Sequence, residues 1–228
     1  MREFAYRNHI MIMHGNASGL VSQYEYDDYS PQGKVLRNYT NLGENWQFSY
    51  SPTFTKDTDS LGREEEYHFD NHHELIKRTF ADGSTMSMVR NPLGQLLSQT
   101  DSAGRTTTYR YNELGQIIQI STGEQKQTFE YNDKGYLIAQ TDVLGHRQEY
   151  GYDGVGNLVM SRNAEEQTQH FVYNEKGLQT AVIDPLGHRT ELRYNAHNQL
   201  SEYRDCSGNA TVFDYNERGL LTAMTDAE

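Results

Sequence analysis

The chain has 228 residues, a formal net charge of -12 and 35% hydrophobic residues, and its mean hydropathy of -0.86 is that of a polar chain. An acidic balance without clusters of Lys and Arg argues against binding to nucleic acid or to an anionic membrane. The single cysteine, Cys206, excludes an intramolecular disulfide. The first twenty residues lack the basic start, apolar run and cleavage site of a signal peptide.

Aromatic residues recur along almost the whole chain, and this regularity argues against the disorder that the hydropathy alone would suggest. From position 50 onward the spacings are 19, 21, 21, 20, 21, 21, 21 and 21 residues. We call the recurring position the tyrosine slot, and it is filled by Tyr6, Tyr26, Tyr50, Phe69, Arg90, Tyr111, Tyr131, Tyr152, Tyr173, Tyr194 and Tyr215. Such self-similarity predicts one repeat array over residues 1–228, irregular in 1–100 and regular in 101–228.

Each repeat contains two turn phrases, Asn/Asp-x-x-Gly after the slot and Asp-x-x-Gly before the next strand. Both suit a type I turn followed by a left-handed residue, which is a three-residue hairpin loop. The segments between the turns alternate in polarity, as in TTTYRY at 106–111, and this alternation predicts strands. The sequence therefore predicts an all-β fold of about twenty short antiparallel strands, in a sheet long enough to coil.

The turn phrase also predicts the register. If Asn112 pairs with Gln116, the slot residue lies opposite the hydrophobic residue of the motif, and the expected pairs are Tyr111–Ile117, Tyr131–Leu137, Tyr152–Leu158, Tyr194–Leu200 and Tyr215–Leu221. In the repeat of Tyr173 the leucine comes one residue early, at Leu178.

The repeat length constrains the ladders as well. Two three-residue turns leave an odd number of single steps in a 21-residue repeat, which would move each successive tyrosine to the other face of the sheet. We therefore predict one bulge per 21-residue repeat, and none in the 20-residue step from Tyr111 to Tyr131.

No side chain is singled out as a catalytic, cofactor-binding or metal-binding residue. The histidines at His146 and His188 share one slot and are interpreted as exposed turn residues, as are His72 and His73, because zinc requires several converging ligands. We interpret the turn aspartates as caps rather than calcium ligands. The glycines Gly151, Gly154 and Gly156 precede no helix pattern and do not indicate a dinucleotide loop. We interpret the acidic run Glu64, Glu65 and Glu66 as a solvated strand edge, and Arg90 is either a degenerate slot or a break in the aromatic stripe.

The motif Tyr-Asn/Asp-x-x-Gly-x-Leu, followed by Thr-Asp and repeated about every 21 residues, resembles the tyrosine-aspartate (YD) repeat of the rearrangement hotspot (Rhs) family. The stretches FAYRNHIMIMH, YSPQGKVLRN and DSLGREEEYHFD resemble the core of bacterial Rhs proteins, so the resemblance covers essentially the full chain. It implies a segment of a hollow β-cocoon around a C-terminal toxin domain of the same polypeptide. It also implies cytoplasmic synthesis and export on a type VI secretion spike to a competing cell.

The chain differs from a complete member of that family. We recognise no spike-binding domain and no toxin tail, and the sequence stops at TDAE inside a turn phrase, so we expect a shell segment of a longer protein. The family's autoproteolytic motif joins two Asp-Pro-x-Gly-Leu phrases. Here His188 replaces the leucine after Asp184, and the phrase at Asp205 reads DCSGN, so cleavage is not transferred to either aspartate.

Two functions follow from these observations. The first is a non-enzymatic container wall whose partners are the toxin domain, the rest of the shell and a type VI spike protein. The second is a carbohydrate-binding surface, because aromatic faces stack on sugar rings. An enzyme has little support, since no pair of carboxylates stands out from the array, and no cofactor is expected.

Overall fold

The computed structural model describes residues 2–226. In that range the secondary structure is entirely β, with 22 strands in one antiparallel sheet, which confirms the all-β prediction. None of the described residues belongs to a helix long and apolar enough to cross a bilayer. The chain folds as two compact units, Met1–Tyr109 and Arg110–Glu228.

The first unit contains ten complete strands and most of an eleventh. These are β1 (Glu3–Arg7), β2 (Ile10–Gly15), β3 (Val21–Tyr26), β4 (Val35–Thr40), β5 (Asn45–Tyr50), β6 (Phe54–Thr58), β7 (Glu64–Phe69), β8 (Leu75–Thr79), β9 (Thr85–Arg90), β10 (Leu96–Asp101) and β11 (Thr106–Tyr111).

The second unit contains β12 (Ile117–Thr122), β13 (Gln125–Tyr131), β14 (Leu137–Thr141), β15 (Arg147–Tyr152), β16 (Leu158–Arg162), β17 (Thr168–Tyr173), β18 (Gln179–Ile183), β19 (Arg189–Tyr194), β20 (Leu200–Arg204), β21 (Ala210–Tyr215) and β22 (Leu221–Asp226). Within each unit, consecutive strands pair antiparallel, as in β6–β7 and β14–β15. The fold of each unit is therefore the predicted meander.

The turn phrases adopt the predicted three-residue loops. The Asn112 amide donates to the Gln116 carbonyl at 3.0 Å, and the Gly115 amide donates back to the Asn112 carbonyl at 3.0 Å. Gly115 has φ of 77°, a conformation that costs glycine nothing. At this loop position Asn198 has φ of 63° and Glu166 has φ of 62°. An asparagine and a glutamate therefore occupy the left-handed region where other repeats have glycine.

The predicted register is confirmed for four of the five expected pairs, and Tyr111–Ile117 stays a prediction. Tyr131 pairs with Leu137 and Tyr152 with Leu158. The later repeats follow the same rule, with Tyr194–Leu200 and Tyr215–Leu221. In the out-of-phase repeat, Tyr173 pairs with Gln179, because the turn rather than the side chain sets the register.

The predicted bulge is present in every 21-residue step. Between Tyr131 and Tyr152, for example, Glu130 pairs with Ala139 and Tyr131 with Leu137, so that Ile138 is the extra residue. Equivalent register shifts occur in the β7–β8, β9–β10, β15–β16, β17–β18 and β19–β20 ladders. Within each unit the bulges keep the tyrosine slots on one face, as the parity argument requires.

The reasoning about the 20-residue step was wrong in its premise. In the step from Tyr6 to Tyr26, Arg7 pairs with Ile10 across a two-residue turn, and a bulge is still present in the β1–β2 ladder. In the step that ends at Tyr131, Thr122 pairs with Gln125 across another two-residue turn. In the step from Tyr6 to Tyr26 the missing residue is therefore removed from a turn, since the shorter turn and the bulge together preserve the face. The absence of a bulge between Tyr111 and Tyr131 stays a prediction.

The sheet carries almost no closed core. Among residues 2–226, the apolar side chains that are fully buried are Ala139 and Ala181. Large apolar residues at turns and on the strands stay exposed, including Leu114, Val155 and Leu186 at 70–83%. The strands are therefore held together by ladders and cross-strand contacts more than by a hydrophobic interior.

Candidate functional surface

One face of each unit carries the aromatic side chains, and we call it the tyrosine face. Side chains alternate along a strand, so the slot residue and the residue two before it project from the same face. In the first unit this face includes Tyr24, Tyr26, Trp46, Phe48, Tyr50, Tyr67 and Phe69, and in the second unit it includes Phe129, Tyr131, Tyr150, Tyr152, Phe171, Tyr173, Tyr194, Phe213 and Tyr215. Most of these rings are half-buried, as expected for a surface of one sheet.

The slot tyrosines also make a recurring hydrogen bond that the sequence analysis missed. The Tyr152 hydroxyl donates to the Leu137 carbonyl at 2.9 Å, and that carbonyl lies directly before the bulged residue Ile138. The same bond joins Tyr26 to Met11, Tyr50 to Val35, Tyr131 to Ile117, Tyr194 to Gln179 and Tyr215 to Leu200, at 2.7–3.0 Å.

This bond has a physical reason. A bulge interrupts the ladder, and a backbone carbonyl that loses its ladder partner needs another donor. The hydroxyl of the next slot supplies that donor. Part of the sequence signal for the bond was present, because tyrosine rather than phenylalanine fills most slots and the parity argument places a bulge in each 21-residue repeat.

The environment of three slot phenols, Tyr26, Tyr50 and Tyr152, favours their neutral form. Desolvation by burial raises the pKa of Tyr152 above its usual value, with Tyr150 as a second cause. Burial raises the pKa of Tyr26 and Tyr50 in the same way. These three hydroxyls therefore remain protonated, and able to donate, throughout the physiological pH range.

The opposite face of each unit carries cross-strand ion pairs, and we call it the charged face. Arg147 binds Glu130 through two parallel hydrogen bonds of 2.6 and 3.0 Å and also contacts Glu149 at 3.1 Å. The hydrogen bond from Arg147 lowers the pKa of Glu130. Because these groups are between a third and a half exposed, solvent screens each pair and its contribution to stability is small.

The predicted capping role of the turn aspartates is confirmed. The Asp142 Oδ1 atom accepts hydrogen bonds from the amides of Leu144 and His146 at 2.8 and 2.9 Å. The other oxygen, Oδ2, lies 3.0 Å from Nδ1 of His146, and His188 makes the same contact with Asp184 at 2.8 Å.

Both histidines lie in turns and are more than half exposed, as predicted, and His72 is 87% exposed. In the part of the chain that the structure describes, no three His, Cys, Asp or Glu side chains are arranged to hold a metal ion.

The interpretation of Glu64, Glu65 and Glu66 as a strand edge is wrong. These residues lie in β7, which pairs with β6 on one side and β8 on the other, so they are inside the sheet. Glu64 and Glu66 point to the charged face, where they contact Lys56 and His68. Glu65 points to the tyrosine face and contacts Arg78. The sequence reasoning missed this because it did not follow the register of the irregular repeats.

The remaining sequence candidates form no common site. Gly151 lies inside β15 and Gly156 lies in the following turn with φ of 100°, so no strand-to-helix loop is formed. Asp184 and Asp205 each cap their own turn, and Cys206 is exposed. Arg90 fills a tyrosine slot, and its guanidinium donates to the Gly94 carbonyl at 3.0 Å.

Comparison with known proteins gives one matching family and a group of toxin relatives. The RHS Repeat family model matches residues 90–127, 173–205 and 194–228. The Toxin protein Tse5 of Pseudomonas aeruginosa is 33% identical over 122 residues, which are 52% of this chain and 9% of that protein. The Double-stranded DNA deaminase toxin A of Burkholderia cenocepacia is 27% identical over 124 residues, which are 54% of this chain and 8% of that protein. The chain thus spans less than a tenth of the length of these relatives.

Solved structures show the same fold over nearly the whole chain. The crystal structure of TcdB2-TccC3-Cdc42 superimposes on 99% of this chain with a TM-score of 0.77, at 12% identity and over 15% of the larger chain. The Tc holotoxin pore of Photorhabdus luminescens superimposes with a TM-score of 0.69, at 13% identity, over 99% of this chain and 15% of the larger one. At such identities the likeness concerns the fold.

Proposed function

Because the chain belongs to the Rhs family of repeat proteins, we propose that it forms part of the wall of a protein shell that encloses the toxin domain of its own polypeptide. The wall itself has a structural role and carries no catalytic group. Export by a type VI secretion system into competing bacteria is the second part of the proposal.

The observation that supports this proposal best is the uniformity of the surface. The slot hydroxyl, the bulge and the capped turn recur at most of the described repeats. A sheet whose fully buried apolar side chains, among residues 2–226, are two alanines has little interior of its own. Such a sheet suits a wall, because both of its faces are available to cover or contact other protein.

The relatives support the association with toxins. Two of them are named as toxins, and this chain matches only a small fraction of each. The structural neighbours are parts of TcdB2-TccC3 assemblies. We infer that the array described here is one sector of a larger repeat shell, with the toxin activity and the spike contact located in other parts of the polypeptide.

The enclosure is tested by protease protection. In a polypeptide that carries this array together with a toxin domain, we expect the toxin domain to resist protease under conditions that degrade the isolated domain. A variant with Tyr131, Tyr152 and Tyr194 changed to Phe weakens three bulges at once and should shorten that protection. If the toxin domain is digested at the same rate with and without the array, the enclosure is refuted.

The delivery route needs a separate measurement. Producer cells with an intact type VI system should inhibit a susceptible competitor only when the polypeptide is present, and disabling the secretion sheath should abolish inhibition. Inhibition that persists without the sheath would refute type VI export while leaving the shell unaffected.

A carbohydrate-binding surface is the second candidate, and exposed aromatic rings favour it. Trp46 and Tyr203 are 38% and 39% exposed, which leaves ring area for stacking on a sugar. A glycan array should then give a hit that disappears when both residues are changed to Ala. The absence of any hit would leave the wall as the remaining function.

A further inference from the structure

A group of charged side chains lies on the tyrosine face of the first unit. Asp57 of β6 pairs directly with Glu65 of β7, and Arg78 of β8 pairs with Tyr67, two residues after Glu65. Cross-strand neighbours on one face have β-carbons about 4.5–5.5 Å apart. The register therefore brings two carboxylates and a guanidinium together among aromatic rings.

This composition departs from the repeat. Opposite the residue that precedes each slot by two, the described ladders have His14, Asn38, Asp57, Arg78, Gln99, Gln140, Ser161, Val182, Tyr203 and Met224. Four residues before the slot the chain has Arg2, Ser22, Trp46, Glu65, Met86, Thr107, Gln127, Gln148, Gln169, Thr190 and Thr211. Arg2 lies before β1, so the Asp, Glu, Lys and Arg residues of these two rows that lie in strands are Asp57, Glu65 and Arg78. Most other cross-strand ion pairs, such as Arg147–Glu130, lie on the charged face, and the exception is Arg90–Glu74 at a tyrosine slot. Repeat architecture therefore does not account for a cluster of three charged residues in these rows.

Two of the nearby carboxylates already have cationic partners. Glu65 Oε2 accepts hydrogen bonds from Nε of Arg78 at 2.9 Å and from the Tyr67 hydroxyl at 3.0 Å, and Nη2 of Arg78 also contacts it. Asp59 accepts from the Arg63 guanidinium at 2.6 Å. Their charges are therefore compensated within the fold.

Asp57 is different. Its side chain is buried, with the residue only 8% exposed, and its Oδ1 atom has no hydrogen-bond partner in the structure. A buried polar atom without a partner costs about 1–3 kcal/mol, and more when the group is charged. Burial, followed by the neighbouring charge of Glu65, raises the pKa of Asp57. The carboxylate is thus held in a position that is unfavourable for the isolated fold.

The group opens on a cavity of about 200 Å³. Its lining includes Asp57, Asp59, Glu65, Arg63 and Arg78, together with the rings of Trp46 and Tyr67. Three carboxylates and two guanidinium groups leave the lining with one negative charge in excess when all are ionised. The excess corresponds to the carboxylate of Asp57, since the other two are paired.

We propose that this cavity binds the ammonium or guanidinium group of an organic cation, with Asp57 as the carboxylate that receives it. A charged N–H donor would give the buried, unpartnered Oδ1 atom a charge-assisted hydrogen bond. The ring of Trp46 would form an aromatic wall for the cation. A hard divalent metal ion fits less well, because it needs six or more oxygen ligands, whereas Glu65 and Asp59 are occupied by arginines.

Trp46 allows a direct test, because it is the single tryptophan of the chain and it lines the cavity. Titration of the 228-residue chain with methylguanidinium should give a saturable change in tryptophan fluorescence. Asp57→Asn should weaken binding by about ten-fold or more, the loss expected for a charge-assisted bond. The matched control is Asp101→Asn, which changes an exposed turn cap elsewhere in the unit and should leave the affinity unchanged.

A second measurement avoids substitution altogether. The side-chain carboxyl ¹³C resonance of Asp57 in the unmodified chain should shift on addition of methylguanidinium and should not shift with tetramethylammonium, which cannot donate a hydrogen bond. The proposal is overturned if the tryptophan fluorescence and the carboxyl resonance both stay unchanged up to about 100 mM methylguanidinium. A dissociation constant above that concentration corresponds to a binding free energy weaker than about 1.4 kcal/mol. An Asp57→Asn chain with unchanged affinity would overturn it as well.

The cation can come from a small molecule or from a basic side chain of a polypeptide. A peptide with one Arg, compared with the same peptide carrying citrulline, separates the two sources. Tighter binding of the Arg peptide than of methylguanidinium, lost with citrulline, identifies a polypeptide partner. Binding of methylguanidinium without binding of the peptide identifies a small cation.

Discussion

Removal of a single slot hydroxyl should weaken the fold measurably, and Tyr152→Phe is the clearest case. The substitution keeps the ring, whose centroid lies 5.0 Å from that of Tyr136, and deletes only the donor to the Leu137 carbonyl. A hydrogen bond of this kind contributes about 0.5–1.5 kcal/mol net. The Leu137 carbonyl precedes the bulge at Ile138, so the ladder offers it no replacement donor, and we expect a loss near the middle of that range.

The matched control occupies the same slot in the next repeat. No hydrogen bond from the Tyr173 hydroxyl is found within residues 2–226, so Tyr173→Phe should change stability by less than about 0.5 kcal/mol. Both variants would be compared with the unmodified chain by urea unfolding, with the midpoint shift read at constant slope. Equal losses for Tyr152→Phe and Tyr173→Phe would refute the role assigned to the slot hydroxyl.

Three further predictions concern turns and the buried carboxylate. Glu166 has φ of 62°, a conformation that strains residues with a Cβ. Glu166→Gly should therefore raise the free energy of unfolding by about 0.5 kcal/mol, whereas the control Glu165→Gly should not. Urea unfolding midpoints measure both changes. Hydrogen bonds from the Arg105 amide and then from its guanidinium lower the pKa of Asp101. The stability that this lowered pKa provides is present above the unfolded pKa and is lost as the pH falls below about 4. The urea midpoint of Asp101→Asn should therefore fall less on acidification than that of the unmodified chain. Because burial raises the pKa of Asp57, its ionisation opposes folding as pH rises, and Asp57→Asn should be more stable than the unmodified chain at neutral pH but not at pH 3. A thermal unfolding series over that pH range checks the sign.

Much of the fold follows from local chemistry that the sequence makes visible. The pairs Tyr131–Leu137 and Tyr152–Leu158 were predictable because an Asn/Asp-x-x-Gly turn fixes the register of the two strands it joins. The bulges were predictable from repeat length alone. Side chains alternate between the two faces of a sheet, so an odd number of steps between two tyrosines on the same face requires an extra residue. Both arguments use positions within one hairpin.

One error arose where the turn chemistry was less distinct. Asn8 and His9 form a two-residue turn with φ of 49° and 67°, but no glycine marks that turn. The acidic run at Glu65 was misplaced for a different reason, because its charge was interpreted as the mark of a strand edge although a regular turn at 59–62 pairs β7 with β6. The partnerless state of Asp57 depends on three strands at once, and spacing along the chain could not reveal it.

The hydrogen bond between each slot tyrosine and the preceding bulge also sets the order in which the molecule can assemble. Each bond reaches back only 14 or 15 residues along the chain, and the described ladders connect each strand to its immediate neighbours in sequence. Folds with such local contacts pay little loop-closure entropy and fold rapidly. Each hairpin needs only the next slot to complete the hydrogen bond at its bulge. Each repeat can therefore dock onto the one before as the polypeptide leaves the ribosome, and long stretches of unpaired strand need not accumulate during translation.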